Sequence, residues 1–399
     1  MCLKKNPVEE VISQSHQANY ESIRTMKIDR VRLYHVAMPL IEPWRTAYGE
    51  DHAIGSVLVE LTSNDTTIWS ETTPLASPCY SAEWAGGVFA VLRDWLAPSI
   101  IGKSFETADS LNQSLAHFKG NPFAKAALDN GWWLLDAKQR GLPLHQILGG
   151  TKKHIAIGAD LGVKDSIDEL LTCVQQVVDA KYPRLKLKYR PGWDLEMLTQ
   201  VRKNFPNLTL HIDCNTGYTL DDLPMFKAID KLGLAMIEQP LSHDDLHDHA
   251  KLQAMLDTPI CLDESISSPM RMKQAIELGS CKFVNIKPGR VGGLSNSLDI
   301  YNQCQNAGLS LWVGGMLESA VGANICAALA SLQGFNYPPD LFPSSRFYAN
   351  DLAMPHVTLT PDSKGRPGIA ISDTPGINAE PNADLLKQYS LATAELITK

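Results

Sequence analysis

Apolar residues recur with two different periods along this chain of 399 residues, and the change of period divides it. From Met26 (MKIDRVRLYHV) to about Ser70 apolar and polar positions alternate in runs, which predicts strands with one buried face. Between Ala82 and Leu148 the spacing becomes helical. The clearest case is AKAALDNGWWLLDAKQRG (Ala124 to Gly141), which ends at a glycine suited to a left-handed cap. From about His154 short apolar runs take over: HIAIGAD, RLKLKY, LTLHID, LAMIEQ, PICLDE, KFVNIK and LSLWVGG. Helical stretches such as DLEMLTQVRKNF and MRMKQAIELG separate them. Runs of this kind suit parallel strands buried on both faces, and their repetition as strand–helix units predicts a parallel α/β barrel. The most apolar run, Ala320 to Leu332, predicts a buried helix and is shorter than the roughly 18 residues that span a bilayer. After Asp340 the pattern loosens, then predicts a hairpin in HVTLTPDSKGRPGIAIS and a tail that returns to the N-terminal region. The division expected is an appendage (1–25), an α+β domain (26–150), a barrel (151–340) and a returning segment (341–399).

The carboxyl ends of the apolar runs carry Lys188, Asp213, Glu238, Asp263 and Lys287, at intervals of 25, 25, 25 and 24 residues. In a parallel barrel these ends converge on one mouth, so one strand–helix unit per interval aims all five side chains at one site. Charge in apolar strands is costly unless it serves a metal or a partner. Asp213, Glu238 and Asp263 supply hard oxygen ligands suited to Mg²⁺, with Mn²⁺ as a substitute. A metal-held substrate carboxylate has an acidified α-proton, and a neutral lysine is the base to take it. Lys186 shares the strand face of Lys188, and its charge should push the Lys188 pKa down.

Composition narrows the setting. The net charge of −8 argues against nucleic acid and anionic lipid as partners. Met1 to Thr25 lacks the apolar core of a signal peptide, and the eight cysteines show no CxxC, so a cytoplasmic location is expected. Cys214, Cys261 and Cys281 read as buried reduced thiols. Neither GxGxxG after a strand nor GxxxxGK[ST] occurs. The histidines of SHDDLHDH (His243, His247, His249) read as a helix start with aspartate caps rather than a second metal site. The glycines of KPGRVGG and VGGM suggest close approach of backbone to substrate at the mouth.

With these residues in place the sequence resembles the enolase superfamily, in its muconate-lactonising subgroup. Within it the likeness is to the o-succinylbenzoate synthase / N-succinylamino acid racemase family. RLKLKYRPGWD, IDCNTGYTL, IEQPL, TPICLDES, VNIKPGRVGG and GGMLESAVG are similar to that family's motifs, and PLIEPWRTAYG and YSAEW to its capping-domain loops. The resemblance implies a modified TIM barrel, (β/α)7β, with an α+β capping domain that closes over the mouth. It implies Lys188 as acid/base, Lys186 beside it, Lys287 as the opposing lysine, and Asn215 and Glu264 as supports of the ligands. It further implies Arg290 as an arginine linked to racemisation. Substrate contacts are expected from Asp160, Gly314, Gly315, Met316, Glu318, Trp44, Arg45 and Tyr48. Asp160 departs from the serine often found there, Cys214 from alanine, and Ser70 from glycine. The activity implied is Mg²⁺-dependent α-proton abstraction through an enediolate: dehydration of 2-succinyl-6-hydroxy-2,4-cyclohexadiene-1-carboxylate in menaquinone biosynthesis. Alternatives are N-succinylamino acid racemisation or both reactions, muconate cycloisomerisation, and a non-catalytic binding relative. A small carboxylate substrate and a homo-oligomer are the expected associations.

Overall fold

A computed structural model describes residues 25–46 and 49–398. The expected appendage therefore lies outside the described residues except for Thr25, and Tyr48 lies outside them altogether.

The alternating N-terminal pattern forms three long antiparallel strands, β1 (Arg30–Thr46), β2 (Gly49–Ser63) and β3 (Thr66–Thr72). Val31, Leu33, Val36 and Met38 alternate into the core from β1, and Ile54 to Leu61 of β2 are buried throughout. Helix α1 (Pro122–Gln139) lies on this sheet and packs against β2 and β3. Its mean hydropathy is balanced, yet Phe123, Leu128, Leu134 and Leu135 are almost wholly buried. Burying each such side chain contributes about 1.5–3 kcal/mol.

The next layer is a seven-stranded parallel sheet: β4 (Ala159–Leu161), β5 (Leu185–Lys188), β6 (Leu210–Asp213), β7 (Ile237–Glu238), β8 (Ile260–Leu262), β9 (Phe283–Ile286) and β10 (Ser310–Val313). Each pairs with its sequence neighbours, in the order of a barrel wall. Helices such as Ile167–Asp179, Leu195–Asn204 and Pro269–Leu278 separate the strands. An extended segment closes the ring. Phe335 bridges Leu311 in parallel, Asp340 N–H donates to Val313 (3.0 Å), and Gly158 N–H donates to Pro339 (3.1 Å). Two short helices matter below: α2 (Pro288–Val291), directly after Lys287, and α3 (Ala320–Ala330), the predicted buried helix. Strand β11 (Ser390–Ile397) pairs antiparallel with β1.

Two expected elements differ. HIAIGAD is not one strand: His154–Ala156 pairs antiparallel with Gly368–Ala370, and only Ala159–Leu161 enters the barrel. The intervening Gly158 sits against the Arg184 guanidinium, where a Cβ would meet it at 1.9 Å. The hairpin predicted near residue 360 is present but short: Thr360 N–H donates to the Gly368 carbonyl (2.8 Å) and Asp362 N–H to the Arg366 carbonyl (2.9 Å). Its second arm goes on to pair with His154–Ala156. The described cysteines are all free, and Cys214, Cys261 and Cys281 are buried. No helix among the described residues is long and apolar enough to cross a membrane.

Candidate active site

Strands β5 to β9 are neighbours in the wall, so the five charged strand ends form a row: Lys188, Asp213, Glu238, Asp263, Lys287. None is more than 8% exposed. Lys188 Nζ donates to Asp213 Oδ2 (2.7 Å) at one end, and Lys287 Nζ donates to Asp263 Oδ2 (2.8 Å) at the other. Glu238 lies in the middle, where Asn285 Nδ2 donates to its Oε1 (2.7 Å). Its Oε2 is buried without a hydrogen-bond partner. Burial, then the charge of Asp213, push the Glu238 carboxyl well above the usual range.

Behind the row lies a second charged layer. Lys186 Nζ is bonded to Asp340 and stands 3.3 Å from Asp160, 3.7 Å from Asp213 and 3.9 Å from Glu238. Arg184, wholly buried against Trp312 and Tyr337, holds the other oxygen of Asp340. Burial opposes the Lys186 ammonium, but Asp160 and Asp340 outweigh it and hold it well above its ordinary range. Lys188 shows the same contest: burial and Lys186 disfavour its charge, yet Asp213 prevails and its pKa is raised. That is opposite in sign to the lowering read from the Lys186 neighbour. The cross-strand partner outweighs the like charge on its own strand.

Supporting contacts surround the row. Asn215 N–H donates to Asp213 Oδ1 (3.0 Å), and its Nδ2 donates to Glu264 Oε1 (3.3 Å). Burial, then Asp263 and Asp213, push the Glu264 carboxyl up to about 8. Arg290 reaches Asp263, the Asn285 carbonyl and the Ile266 carbonyl, the last at 2.9 Å. Each lysine lies near an aromatic ring from the N-terminal sheet region. Trp44 stands 5.9 Å from Lys188 Nζ and rests edge-on against Phe347, and Tyr80 stands 4.5 Å from Lys287 Nζ. The Tyr80 hydroxyl donates to Asp263 Oδ1 (2.7 Å) and accepts from Lys287 (3.1 Å). Tyr80, Asn285 and Asp340 were not singled out from the sequence. Tyr80 opens the YSAEW motif, and Asn285 left a signal two residues before Lys287, hence on the same strand face.

The remaining expected residues fall at different distances from the chemistry. Asp160 is buried beside Lys186, and its Oδ1 has no partner. Arg45 points to the rim, bonding Glu50 (2.7 Å) and Asp165 (3.1 Å). Gly314 lets Lys287 pass: a Cβ there would sit 2.6 Å from Lys287 Cε, and at Gly315 2.4 Å from the Asp340 carbonyl. Met316 is buried and donates its N–H to Glu318 (2.9 Å), whose carboxyl desolvation pushes up to about 7. Two of the KPGRVGG glycines face helix α1 rather than the mouth: a Cβ would lie 2.8 Å from Phe123 at Gly289 and 2.3 Å from Asp129 at Gly293, while at Gly292 it would lie 2.8 Å from Asn296. In SHDDLHDH the Asp245 carboxylate accepts from Asp248 N–H (3.0 Å) and His249 N–H (2.9 Å), and helix His247–Met255 begins there.

Among the described residues no three His, Cys, Asp or Glu side chains are gathered as around a metal ion. Asp213 and Asp263 are instead engaged by the lysines. The donor chemistry nevertheless fits a hard divalent cation. Three carboxylates stand on adjacent strand ends, and the central one keeps a buried oxygen that accepts no hydrogen bond.

Residues 28–149 match the family described as mandelate racemase / muconate lactonizing enzyme, N-terminal domain, and residues 169–385 the family described as enolase C-terminal domain-like. The chain is 38% identical over 366 residues to an o-succinylbenzoate synthase of Geobacillus stearothermophilus, covering 92% of the chain and 96% of the relative. It is 38% identical over 370 residues to an N-succinylamino acid racemase of Amycolatopsis sp, covering 92% and 98%. Among solved structures, an enolase-superfamily member from Listeria innocua Clip11262 superposes with a TM-score of 0.88 at 34% identity, covering 93% of this chain and 99% of that one.

Proposed function

This chain belongs to the enolase superfamily, with both its N-terminal and C-terminal domains, and from that premise we propose that it is an o-succinylbenzoate synthase. In this reading it dehydrates 2-succinyl-6-hydroxy-2,4-cyclohexadiene-1-carboxylate by removing the proton next to the carboxylate. The observation that carries it is the row of three buried carboxylates with a lysine at each end. Enzymes of this superfamily generally depend on a divalent metal, and Mg²⁺, replaceable by Mn²⁺, is the ion proposed. Asp213, Glu238 and Asp263 would hold it, and it would stabilise the negative charge that builds on the substrate carboxylate.

Lys188 is the proposed base. Asp213 does most to keep it charged, so an Asp213 turned toward a cation would leave burial and Lys186 opposed only by Asp160 and lower the Lys188 pKa toward the neutral amine. The same lysine, once protonated, can give its proton to the departing hydroxyl. Lys287 stays charged beside Asp263 and offers a second cation to the developing anion. Trp44 and Tyr80 restrict water around the two ammonium groups.

A second reading, N-succinylamino acid racemisation, is favoured by the near-equal treatment of the two lysines. Each is bonded to one ligand carboxylate at 2.7–2.8 Å and each lies near one aromatic ring, so either can serve as the proton donor or acceptor. Deuterium exchange at Cα, followed by NMR in Mg²⁺ on both enantiomers of an N-succinylamino acid, separates the roles. Lys188→Ala should abolish exchange of one enantiomer and Lys287→Ala of the other. Dehydration should be lost with Lys188→Ala and impaired with Lys287→Ala. Parent-rate exchange of both enantiomers by Lys188→Ala would remove it as the base.

A further inference from the structure

Tyr80 and Lys287 are 207 residues apart, so something must hold the Tyr80 loop where the two meet. The loop leaves the core at Leu75 and returns at Ala85, and the Ala85 N–H to Leu75 carbonyl bond (2.8 Å) closes its base. Within it Glu83 turns inward and is only 9% exposed. Its carboxylate accepts from the backbone N–H of Phe123 (2.8 Å) and Ala124 (3.1 Å), the first turn of α1. Asn121, which precedes that helix, makes no capping bond with its side chain, and the first turn carries no acid of its own. The cap therefore comes from a loop 40 residues upstream.

This is a costly way to cap a helix. A local Ser, Thr, Asp or Asn does so at the surface, whereas burial pushes the Glu83 carboxyl up to about 7. What the imported carboxylate achieves is registry between two elements. Phe123 is wholly buried, its ring stands edge-on to Tyr80 at 6.5 Å, and the same ring fills the space against Gly289, two residues after Lys287. Fixing the Phe123 backbone thus fixes both the ring beside Tyr80 and the start of α2 that follows the lysine.

We propose that Glu83 is a positioning residue for the Lys287 face of the reaction, seating Tyr80 against Lys287 and Asp263 by tying its loop to the first turn of α1. This rests on the racemisation reading above, in which Lys287 moves a proton. Lys188, under Trp44 at the far end of the row, is bonded to Asp213 rather than to Asp263, so loss of the tie should act on one face of the substrate.

The test uses the full-length, Mg²⁺-loaded enzyme and Cα deuterium exchange of both enantiomers of N-succinylleucine. The enantiomer served by Lys287 is identified beforehand with Lys287→Ala. Glu83→Gln should slow that enantiomer about tenfold or more relative to the other, the scale expected of sub-ångström misplacement. Tyr80→Phe should shift the ratio in the same direction, and the double variant should do no more than the larger single effect, because both act through one contact. If Glu83→Gln does not unfold cooperatively, the ratio is read on Glu83→Asp, which keeps the charge but falls one methylene short. Equal slowing of both enantiomers, an unchanged ratio or additive effects would overturn the proposal and leave Glu83 a plain helix cap. A parent enzyme that exchanges neither enantiomer would overturn the racemisation reading, and the role of Glu83 in it.

Discussion

Glu238 is the residue on which the chemistry of the mouth turns. Its Oε2 is buried with no hydrogen bond, and burial and Asp213 raise its carboxyl well above the usual range even with the Lys186 ammonium 3.9 Å away, so a divalent cation would favour the ionised form. Glu238→Gln should therefore leave the metal-free protein as stable as the parent or more so. It should also lose the rise in melting temperature that Mg²⁺ gives the parent, as thermal unfolding in chelator and in Mg²⁺ would show. A variant that melts well below the parent in chelator would contradict this. Asn285 orients Glu238 through a 2.7 Å bond, and Asn285→Ala should weaken Mg²⁺ binding about 10–100-fold by calorimetric titration. The row was legible in the sequence because charges buried at even intervals in apolar runs are too costly to persist unless they converge on one another or on a cation. The charge state of Lys188 was not, since it depends on which way Asp213 turns across the strands. Nor was the contact of Tyr80 with Lys287 and Asp263, since YSAEW marks a loop but not where that loop lands.

Helix α1 connects the sheet layer to the barrel, and one buried acid marks the joint. Asp129 is wholly buried, accepts from Asn112 (2.7 Å), Ser295 Oγ (2.5 Å) and Ser295 N–H (3.0 Å), and sits where Gly293 leaves room for it. Burial outweighs these donors and pushes its carboxyl from 3.8 up to about 6. The folded state therefore binds a proton that the unfolded chain releases, and this contribution to stability fades as pH rises from about 4 to about 6. Its size is roughly 3 kcal/mol. Asp129→Asn lacks it, so urea unfolding should show the variant gaining on the parent by about 2 kcal/mol between pH 4.5 and 6.5. A constant difference would mean that Asp129 titrates normally. The helix itself was readable from its period, as were the barrel strands. HIAIGAD was not, because an apolar run does not reveal that Arg184 occupies the space beside Gly158 and splits it. The KPGRVGG glycines were read as facing the mouth, whereas the tight neighbours of Gly289 and Gly293 are Phe123 and Asp129 on α1.

At the scale of the molecule, the sheet that carries Trp44 is assembled from distant parts of the chain. Strand β11 pairs with β1 through seven residue pairs, from Ser390↔Val36 to Ile397↔Arg30. At about 0.2–1 kcal/mol per cross-strand pair, deleting residues 390–399 should cost roughly 1–7 kcal/mol. Calorimetry should show a lower melting temperature, and turnover should fall because β1 also carries the Trp44 segment. Unchanged stability would mean that the strand is only laid on the sheet. The barrel residues thus form an insertion within the fold of their own lid. A single recombination point anywhere between Thr46 and Ser390 would give β1 and β11 different parents, and the hybrid would inherit a lid whose edge had never met its neighbour. Exchange of the lid among relatives requires two crossovers, one on each side of the barrel, so its loops should travel as a matched pair of segments while the catalytic row passes intact.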